Sequence, residues 1–565
     1  MKLSQMQYKR PDMAEAQSNI RKYLNSFNAA TTAQEAIDAY IAYEDYLNKE
    51  VDQFVALAYI RNSIDMSDQF YVDEMGFWNE AMPMLQEDIK AFTSALLGSP
   101  FRKDLEADWG NVMFVNEELS LKTFAPGIVE DLQEENALQT KYHELRATAQ
   151  IEYNGKTLAL GEIGPYSPYF ENPDPAVRRL VRNLVADWWA TNADEMDEIF
   201  NKMVAARTKM AKTLGYSNFV ELGYYRQRRN CYDAKDVAGF RQGIAEFIVP
   251  LVNRLKAEQA KRIDAPKISL YDNNFSYPDG NPTPKGTPND LMAQARKMYK
   301  EMSTDTADFI DVMIDNELFD VVARPNKQGG GGYCTYIPAN KLPFIFANFN
   351  GTASDILALT HEVGHAFTWY EARNIKPYAL ARGSNDIGET HANAMEFFAW
   401  PWMEGFFGDQ TEKYYDSHLS DTLTFLPYGA MVDEFQHWVY ENHTSTPADR
   451  HAQWAKLEQK YRPYLDQSEV PFYQDGKWWQ TQPHIYTTPF YYIDYALAYV
   501  VALYFWSENQ KDPKAAWKKY MTLIQSAGTK TFLGLIEGAD IPTPFEPQNI
   551  KAIADAVTAW LDGRK

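Results

Sequence analysis

The sequence has very few cysteines. Among its 565 residues there are two, Cys231 and Cys334, and two thiols cannot form the disulfide framework of a small secreted protein. The N-terminal residues also lack the apolar run of a signal peptide. A reducing compartment accounts for the scarcity of cysteine, so we expect a cytoplasmic protein.

Long apolar runs and an excess of positive charge are also missing. The longest apolar stretch, Tyr495–Trp506, is shorter than the roughly 18 residues that suggest a membrane span. The 77 acidic residues outnumber the 55 basic ones, and the resulting net charge of -22 would repel nucleic acids and anionic membranes. We therefore expect neither as a partner, and the oligomeric state stays unknown from the sequence.

Hydrophobic residues make up 45% of the chain and aromatic residues 14%, enough for a large core. Most patterns are helical: Thr32 and Glu35 predict a capping box, and the apolar residues that follow recur near the 3.6-residue period. Asn154-Gly155, between two β-prone runs, predicts a hairpin turn. These patterns predict a mainly α protein with small sheets.

The segment from His361 to His365 carries the clearest chemical signal. Its letters, HEVGH, form an H-E-x-x-H motif in a stretch that predicts a helix beginning near Ser354 or Asp355. A spacing of four places both imidazoles on one helical face, where they can bind zinc, and Glu362 projects beside them toward a bound water. We therefore predict the two histidines as metal ligands.

A catalytic zinc needs a third protein ligand. A third histidine on the same helix is excluded, because Thr368 and Glu371 occupy the positions that this arrangement gives to glycine and histidine. Carboxylates are the remaining candidates, and Glu371 would point away from the metal. A second predicted helix carries Asp386, Glu389 and Glu396. Glu389, in its first turns, is the better ligand, and Glu396, two turns later, can support it.

With these residues the sequence resembles the oligoendopeptidase F and thimet oligopeptidase family of zinc metallopeptidases. The resemblance rests on residues 351–367, which follow the family signature, and on the Glu-x-His-x-x-x-Met-Glu pattern of residues 389–396. It implies that Glu389 is the third ligand of one zinc ion per chain and that Glu362 is the general base. The resemblance is strong from about residue 200 onward.

The resemblance also implies a fold. We predict a mainly α, two-lobed helical oligopeptidase with a deep central channel and a small β-sheet next to the zinc site. Residues 1–200 are expected to form an N-terminal helical lobe with the small hairpin. Residues 201–565 are expected to form the zinc metallopeptidase catalytic domain.

A histidine and a tyrosine-rich run follow further along the chain. Tyr491, Tyr495 and Tyr499 recur every four residues, and phenols on one helical face can donate hydrogen bonds to a developing oxyanion. The family places a histidine and tyrosines here for that purpose, which implies His484, Tyr491 and Tyr495 as catalytic residues. Whether Tyr491, Tyr492 or Tyr495 contacts the oxyanion stays open. An aromatic core stripe is the alternative, and we assign Tyr499 to it.

Four glycines at residues 329–332 precede two predicted strands, Tyr333–Ile337 and residues 344–350. A phosphate-binding loop is excluded, because no Gly-Lys-Ser/Thr follows. We predict a flexible flap and an edge strand. The family binds extended peptides along this strand, which implies Ala347 and Asn348 as substrate contacts. Ordinary sheet structure is the alternative.

Together these features predict a zinc-dependent endopeptidase that hydrolyses internal bonds of short oligopeptides through a zinc-activated water. The first alternative is a peptidyl-dipeptidase or carboxypeptidase on the same type of scaffold, which would need a cationic residue to bind the terminal carboxylate. A non-catalytic peptide-binding protein is less favoured, because metal binding alone does not require Glu362.

Overall fold

A computed structural model describes residues 1–165, 167–329 and 331–564 of the chain. Helices predominate, which confirms the predicted mainly α class. In chain order they are α1 Met13–Asn28, α2 Ala33–Leu47, α3 Gln53–Ile64, α4 Gln69–Leu97, α5 Arg102–Trp109, α6 Val112–Lys122, α7 Val129–Ala147, α8 Leu160–Ile163, α9 Pro175–Thr191, α10 Ala193–Thr213, α11 Phe219–Arg226, α12 Ala234–Gly243, α13 Val249–Arg262, α14 Pro288–Met302, α15 Thr304–Asp315, α16 Ser354–Ala372, α17 Asn385–Phe398, α18 Glu404–Phe407, α19 Thr411–Glu441, α20 Pro447–Tyr461, α21 Pro471–Gln474, α22 Pro483–Thr487, α23 Ile493–Lys511, α24 Pro513–Ser526, α25 Phe532–Gly538 and α26 Pro547–Gly563.

The strands form two small sheets. They are β1 Gln150–Tyr153, β2 Lys156–Ala159, β3 Phe319–Val322, β4 Tyr333–Ile337 and β5 Leu342–Phe349. Strands β1 and β2 form the predicted hairpin, in which Asn154 and Gly155 both have positive φ angles of 51° and 76°. These angles match the turn type that an Asn-Gly pair favours.

In the second sheet, the strand that precedes α16 is not at the edge as we expected. Its strand order is β3-β5-β4, with β3 parallel and β4 antiparallel to β5. The strand predicted as an edge, β5, is therefore the central strand, and β4 is an outer one. The prediction was wrong because β3 is a four-residue segment, too short to show a strand pattern in the sequence. The flap predicted at residues 329–332 includes Gly330, which lies outside the described residues.

The chain forms two compact units, each built from separate segments. Unit 1 comprises Met1–Glu118, Pro284–Phe406 and Lys514–Asp540. Unit 2 comprises Leu119–Thr283, Phe407–Pro513 and Ile541–Lys565. The predicted division at residue 200, a position within α10, stays a prediction.

In unit 1 a tight turn connects the three-stranded sheet to α16. Gly351 has a φ of 86°, a conformation that glycine adopts without strain. Both carboxylate oxygens of Asp355, in the first turn of α16, accept backbone hydrogen bonds, from Asn350 and Gly351 at 2.8 Å each. The carboxylate therefore ties the turn at residues 350–351 to the first turn of α16 and fixes where the helix begins relative to β5.

In unit 2 the longest helix, α19, packs against α20 and α23. The predicted tyrosine face is only partly helical, because α23 begins at Ile493 and Tyr491 precedes it. Within the described residues of the whole chain, no helix is long and apolar enough to cross a membrane.

Candidate metal centre

Three side chains of unit 1 bring potential metal ligands together. His361 and His365 lie on α16, and Glu389 lies on α17. Their ligand atoms all lie within 4.8 Å of one another. The Oε2 atom of Glu389 is 3.4 Å from Nε2 of His361 and 3.8 Å from Nε2 of His365. The structure thus groups the three residues that the sequence predicted as metal ligands.

A glycine inside the motif allows the two helices to approach. A Cβ atom added at Gly364 would lie 2.5 Å from the Cα atom of Ala392 and 2.8 Å from the carbonyl oxygen of His391. Any side chain at this position would therefore force α16 and α17 apart. His391 itself is buried, and its carbonyl accepts a hydrogen bond of 2.8 Å from the Tyr520 hydroxyl. The local packing accounts for Gly364 within H-E-x-x-H.

The other carboxylates considered as ligands have different surroundings. Glu396 is fully buried, and Nδ1 of His361 donates to its Oε1 atom at 2.9 Å. This bond places the proton on Nδ1 and leaves the Nε2 lone pair for a metal. Asp386 accepts hydrogen bonds from the Ser384 hydroxyl and from the Ile387 backbone at the start of α17. Asp386 therefore stabilises its own helix.

Burial and neighbouring charges shift the pKa values of the group. Burial lowers the pKa of His365 to about 4, so that this imidazole is neutral. Burial has the same effect on His361, but hydrogen bonds and charges from Glu389 and Glu396 raise its pKa well above the usual range. Burial also raises the pKa of Glu362 to about 7, although the positive charge of His361 acts to lower it. Glu389 and Glu396 thus favour a positive charge between them, either on a protonated His361 or on a metal ion bound through its Nε2 atom.

The donor set fits a zinc ion. A tetrahedral zinc with bonds of about 2.0 to 2.2 Å separates its ligand atoms by roughly 3.4 Å, close to the two distances measured from Glu389. Three glutamates, Glu362, Glu389 and Glu396, are each at most 8% exposed. Buried carboxylates are stabilised when they coordinate a cation, and imidazole and carboxylate are ligands that zinc accepts.

One neighbour of Glu362 was not predicted as a site residue. A Cβ atom at Gly332 would lie 3.2 Å from Oε1 of Glu362 and 3.0 Å from the carbonyl oxygen of Phe346. The residue before β4 thus lies beside the predicted general base. Burial and the charge of Glu362 raise the pKa of the half-buried Cys334, in β4, well above its usual value. In the sequence, only the run of glycines indicated that the backbone at Gly332 could lie so close to Glu362.

The predicted substrate contacts lie on the central strand. Ala347 is buried, and its carbonyl accepts a hydrogen bond of 2.5 Å from Nζ of Lys327. The Asn348 side chain donates to the carbonyl of Gln328 at 2.9 Å. Both residues therefore hold the segment that leads to the glycines. Their role in binding substrate stays a prediction.

The predicted oxyanion donors form an aromatic cluster in unit 2. The ring of His484 lies 5.7 Å from Tyr491, 4.9 Å from Tyr492 and 5.9 Å from Tyr495, measured between centroids. The rings of Tyr491 and Tyr495 are 5.3 Å apart. Nδ1 of His484 is 2.7 Å from the side-chain nitrogen of Gln482. The structure brings these predicted residues together, and their catalytic role stays a prediction.

Family models and solved structures match most of this chain. Residues 3–124 match the peptidase M3 N-terminal domain, and residues 169–553 match peptidase family M3. Three solved structures are similar over 100% of this chain. The first, a candidate oligoendopeptidase F, is 42% identical, with 99% of its own chain covered and a TM-score of 0.92. PZ peptidase A, solved with an inhibitor, is 41% identical, with 99% covered and a TM-score of 0.92. A candidate oligoendopeptidase F from Bacillus anthracis is 40% identical, with 98% covered and a TM-score of 0.88.

A comparison with curated proteins found no match. The helical fold and the clustered histidines and glutamates are those of a metallopeptidase. The chain belongs to peptidase family M3, whose match covers most of its length. This membership confirms the family resemblance and the enzyme class, and it implies a bound metal and peptide substrates.

Proposed function

We propose that the protein is a zinc-dependent endopeptidase that hydrolyses internal bonds of short oligopeptides. The observation that carries this proposal is the convergence of His361, His365 and Glu389 beside Glu362. Two imidazoles and one carboxylate are the protein ligands of many catalytic zinc sites, which keep one position for water. We propose one zinc ion per chain, in a cytoplasmic enzyme.

When bound, zinc lowers the pKa of water and withdraws electrons from the scissile carbonyl. The Glu362 carboxylate accepts a proton from the attacking water and later passes it to the leaving amine. His361 and His365 serve as neutral ligands through Nε2, and the bond from Nδ1 of His361 to Glu396 maintains that tautomer. No covalent intermediate between enzyme and substrate is needed.

We further propose His484, Tyr491 and Tyr495 as hydrogen-bond donors to the oxyanion that forms during attack. Their rings cluster in unit 2, and donors aimed at a developing negative charge stabilise the transition state. The family resemblance assigns this role to a histidine and tyrosines at these positions. Ala347 and Asn348 remain the proposed substrate contacts.

Exopeptidase action is the main alternative, and blocked peptides distinguish the two. We expect a peptide of roughly ten residues with an acetylated N-terminus and an amidated C-terminus to be cut internally, because an endopeptidase binds the extended main chain on both sides of the bond. Mass spectrometry of the products identifies the bond. The control is the same peptide with free ends, which should be cut at the same position at a rate within about threefold.

Release of dipeptides or single residues from the free peptide, with the blocked peptide left intact, would establish exopeptidase action. A second comparison tests substrate size. A small globular protein should resist cleavage in its native state, and its unfolded form, or short peptides from it, should be cut. Rapid digestion of the native protein would contradict the proposed restriction to short peptides.

A further inference from the structure

One buried arginine of unit 2 contacts the residues that precede two proposed oxyanion donors. Nη2 of Arg229 lies 2.8 Å from Oδ1 of Asp494, and both side chains are at most 2% exposed. The same nitrogen donates a hydrogen bond to the carbonyl of Phe490. Phe490 directly precedes Tyr491, and Asp494 directly precedes Tyr495.

The backbone at Phe490 has an unusual conformation. Its φ angle is 68°, in the left-handed region that residues other than glycine rarely adopt. Its N–H donates to Oε1 of Gln436 at 2.9 Å, and its carbonyl accepts from Arg229. Its ring packs against Gly223, where a Cβ atom would lie 2.5 Å away. Gln436 and Arg229 therefore fix the two main-chain groups of Phe490, and Gly223 provides the space for its ring.

This conformation determines the direction of the next residues. The carbonyl of Tyr491 accepts a hydrogen bond of 2.9 Å from the backbone of Asp494, so the two anchored positions are connected. The Tyr491 and Tyr495 rings lie 5.3 Å apart on the resulting turn. A change in the position of Phe490 or Asp494 would therefore rotate both rings.

The surroundings of Arg229 prevent it from adjusting freely. The guanidinium carbon lies 4.4 Å from the ring centre of Tyr224 and 5.6 Å from that of Tyr232. Nε donates to the Tyr232 hydroxyl at 3.1 Å. A planar guanidinium held on several sides can bind a carboxylate and a carbonyl together, which the single ammonium of lysine reproduces poorly.

We propose that Arg229 is a positioning residue that orients Tyr491 and Tyr495 for their role as oxyanion donors. This inference rests on the proposed function. A buried ion pair is weak evidence for a contribution to stability, whereas strained backbone that its surroundings fix is often found at functional sites. Arg229 acts through the tyrosines and has no contact with substrate in this proposal.

The test compares Arg229→Lys with Arg228→Lys. Arg228 is the adjacent, exposed arginine, so its variant carries the same chemical change outside the buried pair. We expect Arg229→Lys to lower kcat by about 10- to 100-fold, because small displacements of a catalytic group have effects of this size. KM and metal content should change by less than about threefold, and Arg228→Lys should retain full activity.

A double-mutant cycle separates positioning from a general loss of structure. In a chain carrying both Tyr491→Phe and Tyr495→Phe, the change Arg229→Lys should lower kcat by less than about threefold, because the hydroxyls through which it acts are gone. Equal factors in both backgrounds would overturn the proposal. So would a folded Arg229→Lys enzyme with the activity of Arg228→Lys.

Failure of the proposed function gives a different pattern. If the double tyrosine variant keeps its kcat, the tyrosines are not oxyanion donors, and this inference falls with that assignment. If that variant loses activity but the cycle is additive, only the role of Arg229 is refuted. If circular dichroism shows that Arg229→Lys is unfolded, Gln436→Met takes its place in the same cycle. This change removes the acceptor for the Phe490 N–H, and the same outcomes support or overturn the proposal.

Discussion

Replacing Glu362 by glutamine is expected to lower kcat for peptide hydrolysis by about 10²- to 10⁴-fold, the contribution of a well-placed general base. Glutamine has nearly the same shape, but its carboxamide cannot accept a proton from water. Because Glu362 does not belong to the group of three ligand residues, the metal should be retained. The measurement is kcat with an internally quenched peptide, together with metal content.

A matched control lies on the same helix. Glu371 is near the end of α16, and Oε2 of this residue is 3.4 Å from the side-chain nitrogen of Gln525. Glu371→Gln should leave both kcat and metal content unchanged. A Glu362→Gln enzyme that kept substantial activity at normal metal content would mean that another group accepts the proton.

Replacing Glu389 by glutamine is expected to weaken metal retention and activity together, because the site loses the negative charge of its third ligand. Glu396→Gln should have a smaller effect, about 10- to 100-fold in metal affinity, since Glu396 contacts His361. Competition with a chelator of known affinity measures both variants against the unchanged protein.

The informative result is which of the two variants, Glu389→Gln or Glu396→Gln, loses more metal affinity. If Glu389→Gln binds zinc normally, the third ligand must be sought at Asp386 or Glu396. The structure makes Asp386 the weaker candidate, because its carboxylate accepts hydrogen bonds at the start of α17. If Glu396→Gln lost more affinity than Glu389→Gln, the two glutamates would have exchanged roles.

Two of the three proposed metal ligands could be predicted from the sequence because their geometry is local. Within one helix, a spacing of four determines that His361 and His365 share a face. Glu389 required a second helix, and its candidates were few because carboxylates there are few. What the sequence did not reveal is that Gly364 permits the close crossing of the two helices, since that requirement comes from the backbone of α17.

The sheet was predicted less well. The patterns of β4 and β5 were recognised, whereas β3 was missed, and β5 was therefore wrongly expected to be an edge strand. Strand order depends on contacts between distant segments, such as the parallel pairing of Phe319 with Ile345. Four residues of β-prone sequence also occur in many helices and loops, so β3 had no distinctive local signal.

In unit 2, Arg229 and the turn at Phe490 likewise depend on contacts between distant segments, which the sequence does not reveal. The sequence does not distinguish Arg229, which is buried, from its exposed neighbour Arg228. The partner Asp494 lies 265 positions away, and phenylalanine gives no indication of a left-handed backbone. Tyr491 was predicted on a helical face that in fact begins at Ile493, because aromatic spacing alone does not locate a helix start.

The most direct measurement is zinc content and peptide hydrolysis in the same samples, during removal and return of the metal. The purified protein should contain about one zinc ion per chain, and a chelator should remove zinc and activity together. Added zinc should restore hydrolysis in proportion to the metal bound, up to about one equivalent. Undiminished hydrolysis by protein shown to be free of metal would contradict the proposal that this enzyme cleaves peptides through a zinc-activated water.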